Sequence, residues 1–415
     1  MLEKGSSKPG LRLHLAHALT LAAFASCLIS PDSNADTNHR PDGKGGGTLL
    51  NPPPVATGPL GAAGQTIQYH GGDIMLGAPS IYFIWYGDWA GNTALDILSD
   101  WANNIGGSPY YNINSTYYDH SGNHISNAAR FGGAVFDHYS HGDFLSDDDI
   151  EDIVADQIGG ALPIDENGVY FVLTSADVAQ QSSSTSAFCL DYCGWHTHHL
   201  MIIDLIHWVD IKYAFVGNAI RCPGSCAAQT ASSPNDNPGA DAMASVLAHE
   251  FEETTSDPDL DAWFTASGDE NGDLCVWRFG QEYHTPNGAR ANMRLGNRDY
   301  LIQQNWVNLD GGYCALSLPA VSAISPNWGS RAGGTRVTIS GTGFAPNATV
   351  SFGGTPATAV SFVDSSTLIA TTPPHSFGRV AVSVSAHGGT ISIPDAFTFG
   401  LTPAQILTVV NNVLQ

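Results

Sequence analysis

Charge is scarce in this chain, and positive charge most of all. Only 13% of the 415 residues are Asp, Glu, Lys or Arg, with 15 basic side chains against 39 acidic ones and a formal charge of -24. A surface of that sign repels phosphate backbones and anionic lipid heads, so nucleic acid is excluded as an expected partner. Long apolar runs are also missing beyond the N-terminus, which excludes a further membrane-spanning helix. The chain has no G-x-S-x-G elbow, no P-loop and no dinucleotide fingerprint, so serine-hydrolase, nucleotide-hydrolase and nicotinamide chemistry lack their usual sequence supports. What remains is rich in Gly (45 residues) and aromatics (10%), a balance that suits an exported, loop-rich protein.

The N-terminus agrees with export. Lys4, Lys8 and Arg12 precede the mostly apolar run His17 to Ile29, and Ser33 to Ala35 supplies small residues for cleavage, so residues 1–35 read as a signal peptide. Acylation at Cys27 is the competing lipoprotein reading. Residues 36–65, with "GKGGG" and "NPPP", read as a flexible lead-in. Six cysteines remain after the leader: Cys189, Cys193, Cys222, Cys226, Cys275 and Cys314. An even number in an oxidising compartment implies disulfides. Both "CLDYC" and "CPGSC" are C-x3-C, so the simplest pairing is two tight local loops plus a long closure between Cys275 and Cys314. A four-cysteine zinc site is the alternative.

The body of the chain, residues 66–317, reads as α/β. "SIYFIWYGDW" predicts a buried strand from Ser80, and "NTALDILSDWANNI" a helix with Leu95, Leu98 and Trp101 on one face. "SDDDIEDIVADQIGGAL" predicts a second helix, capped by Ser146 and opened by Asp147 to Asp149, with Ile150, Ile153, Val154 and Ile158 buried. "GVYFVLTS", "HLMIIDLI" and "IKYAFVGN" predict further strands. From about Pro319 charge thins, and short Val/Ile/Thr/Phe runs alternate with Gly, Pro and Asn turns. That pattern predicts a small β-sandwich over residues 318–400, followed by a tail at 401–415.

The chemistry centres on "LAHEFEETTSDPDLDAW", Leu247 to Trp263. On a helix His249 and Glu253 share a face and Glu250 flanks them, as in H-E-x-x-H metallopeptidases, where two ligands stand one turn apart and the Glu serves as base. Glu253 replaces the second histidine, and a carboxylate is an acceptable zinc ligand. Proline disfavours helix at its predecessor, so the helix should stop at about Asp257. A third ligand is offered by Asp257, Asp259, Glu270 or Asp273. The gluzincin peptidases, which this stretch resembles, place an acidic third ligand about twenty residues on, which favours Glu270 or Asp273; a metzincin-like spacing would favour Asp259 instead. His196 in "CGWHTHH" is a further candidate ligand, beside His198 and His199. Zinc is the expected cofactor. Calcium at Asp269, Asn271 and Asp273, which alternate as in a calcium loop, is the lesser alternative.

Two resemblances add to this. "ISPNWGSRAGGTRVTISGTGF", "VSFGGTPATAVSFVDSSTLIATTPP" and "AFTFG" resemble the IPT/TIG family of immunoglobulin-like modules, which implies a binding or spacer role. "IYFIWYGDW", "YYDHSGNHIS", "CGWH", "YAFVGN" with "CPGSC", "LAHEFEETTSDP", "GDLC" and "NRDYLIQQNWV" together resemble the EXORDIUM or phosphate-induced protein family. That resemblance implies an exported cell-wall or extracellular protein. The expectation is therefore a zincin-like mixed sheet with helices, followed by an immunoglobulin-like β-sandwich. Its expected activity is zinc-assisted peptide hydrolysis, with His249, Glu253 and one of Asp273, Glu270 or His196 on the metal and Glu250 as base. The alternative is a non-catalytic protein whose partners are an extracellular protein or a cell-wall polysaccharide.

Overall fold

The computed structural model describes residues 66–202, 208–309, 311–386 and 389–401. The expected signal peptide, lead-in and tail lie outside them. None of the described helices is long and apolar enough to cross a membrane.

Five strands and three helices organise the first module. In chain order they are β1 (Ser80–Tyr86), α1 (Ala94–Asn104), β2 (Arg130–Asp137), α2 (Asp147–Gln157), β3 (Gly168–Thr174), β4 (Gly194–Ile202), β5 (Trp208–Val216) and α3 (Pro238–Ser256). The sheet order is β2-β1-β3-β5-β4, parallel except for β4, which runs antiparallel to β5 at the edge. Strands β1 and β3 are buried along their whole length, and their sequences are near-continuous apolar runs because both sheet faces are covered. Alternation then sorts the side chains. Ile81, Phe83, Trp85, Val169, Phe171 and Leu173 enter the core shared with α1 and α3, while Tyr82, Ile84, Tyr86, Tyr170 and Val172 enter the opposite core with α2.

The helices form for the expected local reasons. Ser146 and Asp149 make a reciprocal capping box at the start of α2, and Ile150, Ile153 and Val154 are buried, whereas Ile158 lies one residue past the helix in extended conformation. In α1, Leu98 and Trp101 are buried and Leu95 only half so. Asn237 caps α3 by accepting from Ala240 N at 3.1 Å, and Pro238 occupies the first turn, where its missing N–H costs nothing. At the other end Asp257 closes the helix before Pro258 and accepts the Ala262 N–H at 2.6 Å. Helix α3 is buried to its last residue. Phe251 stacks on Tyr111 at 5.2 Å and meets Trp101 edge-on at 6.2 Å, fixing the helix's rotation about its axis.

Strand β4 differs from expectation. It begins at Gly194, five residues before the predicted run, so His196 is a strand residue. The apolar signal of "HLMIIDLI" marked only the later part of the strand, because Gly194 and His196 carry no apolar side chain and Trp195 alone enters the core at its start.

The disulfides also correct an expectation. Cys189 pairs with Cys222 and Cys193 with Cys226; only the Cys275–Cys314 closure was anticipated. Pro223–Cys226 forms one helical turn, which sets Cys222 and Cys226 side by side. Side chains four apart on a helix have β-carbons about 5–6 Å apart, wider than the roughly 3.5–4.5 Å a disulfide spans. Each thiol therefore reaches across to the facing Cys189–Cys193 loop, giving two parallel rungs.

Residues 320–400 form the sandwich: four strands in one sheet and five in the other, with Val337, Ile339, Leu368, Val382, Phe397 and Phe399 among the residues between them. The joint is short and pinned. Leu318 N donates to Pro109 O at 2.9 Å, Asn112 Nδ2 donates to Leu318 O at 2.9 Å, and Thr390 N donates to the Tyr313 hydroxyl at 3.1 Å.

Two outcomes are expected. Non-reducing peptide mapping should recover Cys189 linked to Cys222 and Cys193 to Cys226, with no peptide closed on a single C-x3-C. The second concerns Asp257, whose carboxyl burial pushes up to about 7. An unfolded Asp ionises near about 3.9, so between those values the native chain binds more protons than the unfolded one, and stability falls as pH rises through that window. In chelator-treated protein, Asp257→Asn should therefore shrink the loss of Tm between pH 5 and pH 8, by roughly 2–4 °C for each kcal/mol of penalty relieved.

Candidate metal centre

The last two turns of α3 face β4 and the loop that follows the helix. Gly194 allows the helix this close: a β-carbon there would lie 2.6 Å from Val246 Cγ1 and 2.7 Å from Glu250 Oε1. Gly272 does the same for the loop, since its β-carbon would lie 2.9 Å from both Glu253 Oε1 and His249 Nδ1. These glycines bring six functional side chains together.

Around His249, Nε2 lies 3.1 Å from Glu253 Oε1 and 3.5 Å from Asp273 Oδ1. Glu250 also belongs here, with an oxygen within 4.8 Å of the His249 and Glu253 donors. Around His196, Nε2 lies 3.2 Å from Glu270 Oε2 and 3.9 Å from Glu253 Oε2. The loop itself is tied to the helix, as Asp273 N donates to Glu253 Oε1 at 3.0 Å and Glu270 N to Asp273 Oδ2 at 3.1 Å. Asp273 and Glu270, alternatives for one position in the sequence, thus stand in two adjoining groups that share Glu253.

Burial gives the cluster its electrostatic character. Desolvation, with the charge of Asp273, raises Glu253 to about 7, and desolvation raises Glu270 and Glu252 well above the carboxylate range. Burial acts on His196 in the opposite sense, lowering it to about 3, so the imidazole is neutral and keeps a lone pair. For His249 burial also favours the neutral form, but Glu253 and Asp273 outweigh it and hold the ring protonated well above its ordinary range. The cluster draws positive charge to itself.

The fit to zinc can be tested on the donor atoms. Four ligands at about 2.0–2.1 Å around a tetrahedral ion are about 3.3–3.4 Å apart. The separations of 3.1 and 3.5 Å around His249 match that edge. Glu253 Oε2, Glu270 Oε1 and His196 Nδ1 are buried without a hydrogen-bond partner, a costly arrangement that a cation relieves at the two carboxylates. Nitrogen and carboxylate oxygen are both zinc donors, so these residues suit that ion.

Other predicted residues go elsewhere. Asp259 pairs with Lys212 at 3.1 Å and lies near His198 at 3.6 Å, so the lysine supplies the cation of that half-buried group and Asp259 is no ligand beside His249. His199 pairs with Glu151. Within "DENGD", Asp269 accepts from Thr265 Oγ1 and Asn271 donates to Glu252 O and Ser256 Oγ, so they and Asp273 have separate partners rather than one calcium-loop centre.

Gln303 escaped the sequence reading. Its Nε2 lies 2.7 Å from His249 Nδ1 and donates to Gly272 O at 3.2 Å, joining ring and loop. Turning the amide over, at the loss of its bond to Gly272 O, would let Gln303 Oε1 accept the His249 Nδ1–H and leave His249 Nε2 facing Glu253 and Asp273. Only the "NRDYLIQQNWV" stretch pointed to it. A cleft opens beside His249, Glu250 and Asp273, walled by Val246, Val276, Trp277, Phe279 and Leu301. Trp277 holds φ at 60°, a left-handed backbone that costs a residue with a β-carbon about 1–2 kcal/mol.

Comparison with known proteins agrees with this division into modules. Residues 67–293 match the phosphate-induced protein 1 conserved region and residues 319–399 the IPT/TIG domain. The Arabidopsis thaliana protein EXORDIUM-like 5 is 30% identical over 280 residues, covering 58% of this chain and 75% of that protein. EXORDIUM-like 3 of the same plant is 29% identical over 286 residues, 60% of this chain and 82% of its own. Among solved structures, the TIG domain of human nuclear factor of activated T-cells, cytoplasmic 4, aligns over 20% of this chain and 89% of its own, with 24% identity and a TM-score of 0.17. The EXORDIUM-like relatives and the three disulfides are consistent with an extracellular protein. The first module's match spans more than half of the chain, and the protein belongs to the phosphate-induced protein 1 family of EXORDIUM-like proteins, with an IPT/TIG domain at its C-terminal side.

Proposed function

We propose that the protein is an exported zinc-dependent hydrolase acting on peptide-like amides, with His249, Glu253 and Asp273 holding the metal in a zincin-like arrangement. The observation that carries this reading is that His249 Nε2 stands 3.1 Å from Glu253 Oε1 and 3.5 Å from Asp273 Oδ1 beside an open cleft that Glu250 also lines. When bound, zinc supplies Lewis acidity toward a carbonyl and lowers the pKa of water.

The chain's own residues do the rest. The apolar wall of Val246, Val276, Trp277 and Phe279 excludes solvent and takes an apolar side chain of the substrate. Glu250 accepts the proton of the attacking water on its carboxylate and returns it to the leaving amine nitrogen as the C–N bond breaks. Gln303, against His249 Nδ1, fixes the orientation of that ring. A second reading, a non-catalytic protein that binds an extracellular protein or cell-wall polysaccharide, draws on the IPT/TIG domain.

Metal analysis and casein cleavage separate the two. Purified protein reloaded with zinc after chelation should retain the ion stoichiometrically and cleave casein; retention of no zinc and no cleavage would sink the enzyme reading. Glu250→Gln should lower cleavage by roughly 10²–10⁴-fold while zinc content and folding stay unchanged. Gly272→Ala should weaken zinc binding by about 10–100-fold, because its β-carbon displaces the loop that carries Asp273. Zinc titration against a competing chelator measures that loss.

A further inference from the structure

Glu253 sits between two groups of donors, and its two oxygens face different ways. Oε1 is the atom near His249, and Oε2 is the atom near His196. The inner group of His196, Glu253 and Glu270 is fully buried, with one donor from each residue within 4.8 Å of the others. It lies behind the cleft: His249, Glu250 and Asp273 line the cavity, while His196, Glu253 and Glu270 do not.

We propose that the protein binds two divalent cations, the second in this inner group, with Glu253 bridging them: one ion on His249, Glu253 and Asp273, the other on His196, Glu253 and Glu270. The proposal shares Glu253 with the hydrolase reading but adds a site to it.

Three observations carry it. The first is donor geometry: His196 Nε2 and Glu270 Oε2 are 3.2 Å apart, close to a tetrahedral edge, with Glu253 Oε2 3.9 Å away. The second is an orphan: Glu253 Oε2, the carboxylate oxygen turned toward His196, is buried with no hydrogen-bond partner. The third is charge. Glu253 and Glu270 are two buried carboxylates set against His196 behind the cleft, and one divalent cation balances the two charges they carry when ionised. Lys212, which neutralises Asp210 and Asp259, is engaged in that separate group. The inner ion is out of reach of substrate, and its role is to hold Glu253 ionised and fixed for the outer one.

The test counts zinc per chain by native mass spectrometry and elemental analysis, on the full disulfide-bonded protein reloaded with zinc. Two equivalents in the wild type, falling to one in His196→Gln and in Glu270→Gln, is the expected result. One equivalent in the wild type, unchanged by His196→Gln, overturns the inner site and leaves the hydrolase reading standing. One equivalent lost equally by His196→Gln and His249→Gln means a single ion shared by both histidines, which also overturns it. No zinc at all overturns both. The wild-type count needs no variant to fold, and near-ultraviolet circular dichroism checks each variant's packing.

Discussion

A helix that ends inside the protein with its carboxylates still attached is the constraint around which the first module is arranged. Helix α3 is buried to its C-terminus, and Glu252 and Glu253 have no route to water. Isolated ionised carboxylates in such a place cost several kcal/mol each. Several neighbours answer part of that cost. Asn305 donates to Glu252 at 2.7 Å, the Asp273 backbone donates to Glu253, and His249 stands against Glu253 Oε1, while Glu252 Oε1 and Glu253 Oε2 are left without a hydrogen-bond partner. The apolar face of the same helix supplies the counterweight, since Met243, Leu247 and Phe251 fill the core against β1, β3 and α1. Packing thus holds the helix in a position its polar side would not choose.

Much of this was legible in the sequence, for stated physical reasons. Strands β1 and β3 declare themselves because a strand covered on both faces must be apolar throughout. Helix α2 does so through its Ser146 cap and its buried Ile150, Ile153 and Val154. The helical placement of His249 and Glu253 follows from their spacing, and the stop at Asp257 from the proline behind it. Other parts depend on long-range approach, which spacing does not encode. His196 reaches Glu270 from 74 positions away, because β4 lies on the edge of the sheet beneath α3. Gly194 and Gly272 read as ordinary loop glycines until the atoms that a β-carbon would strike are known. Gln303 looks like any amide in a polar run. The cysteine pairs mislead for a similar reason: a C-x3-C repeat suggests a local loop, while a helical turn sets its thiols side by side and too far apart.

The two modules divide the work unequally. Polar and titratable groups with displaced proton affinity gather at the end of α3, whereas the sandwich has an apolar interior of Val, Ile and Phe. Its contacts to the first module run through a joint in which Leu318 is itself part of the α/β core. The sandwich is therefore anchored to the body, not hung from it by a loose tether.

The parallel disulfide rungs have a bearing on the cleft. Cys193 and Cys226 form part of the cleft wall, on the same side as Gly194 and the start of β4. The Cys193–Cys226 rung ties the residue just before β4 to the short turn Pro223–Cys226, and His196 lies only three residues further along that strand. Reduction would remove that covalent tie from one side of the cleft while leaving every polar side chain of the cluster in the chain.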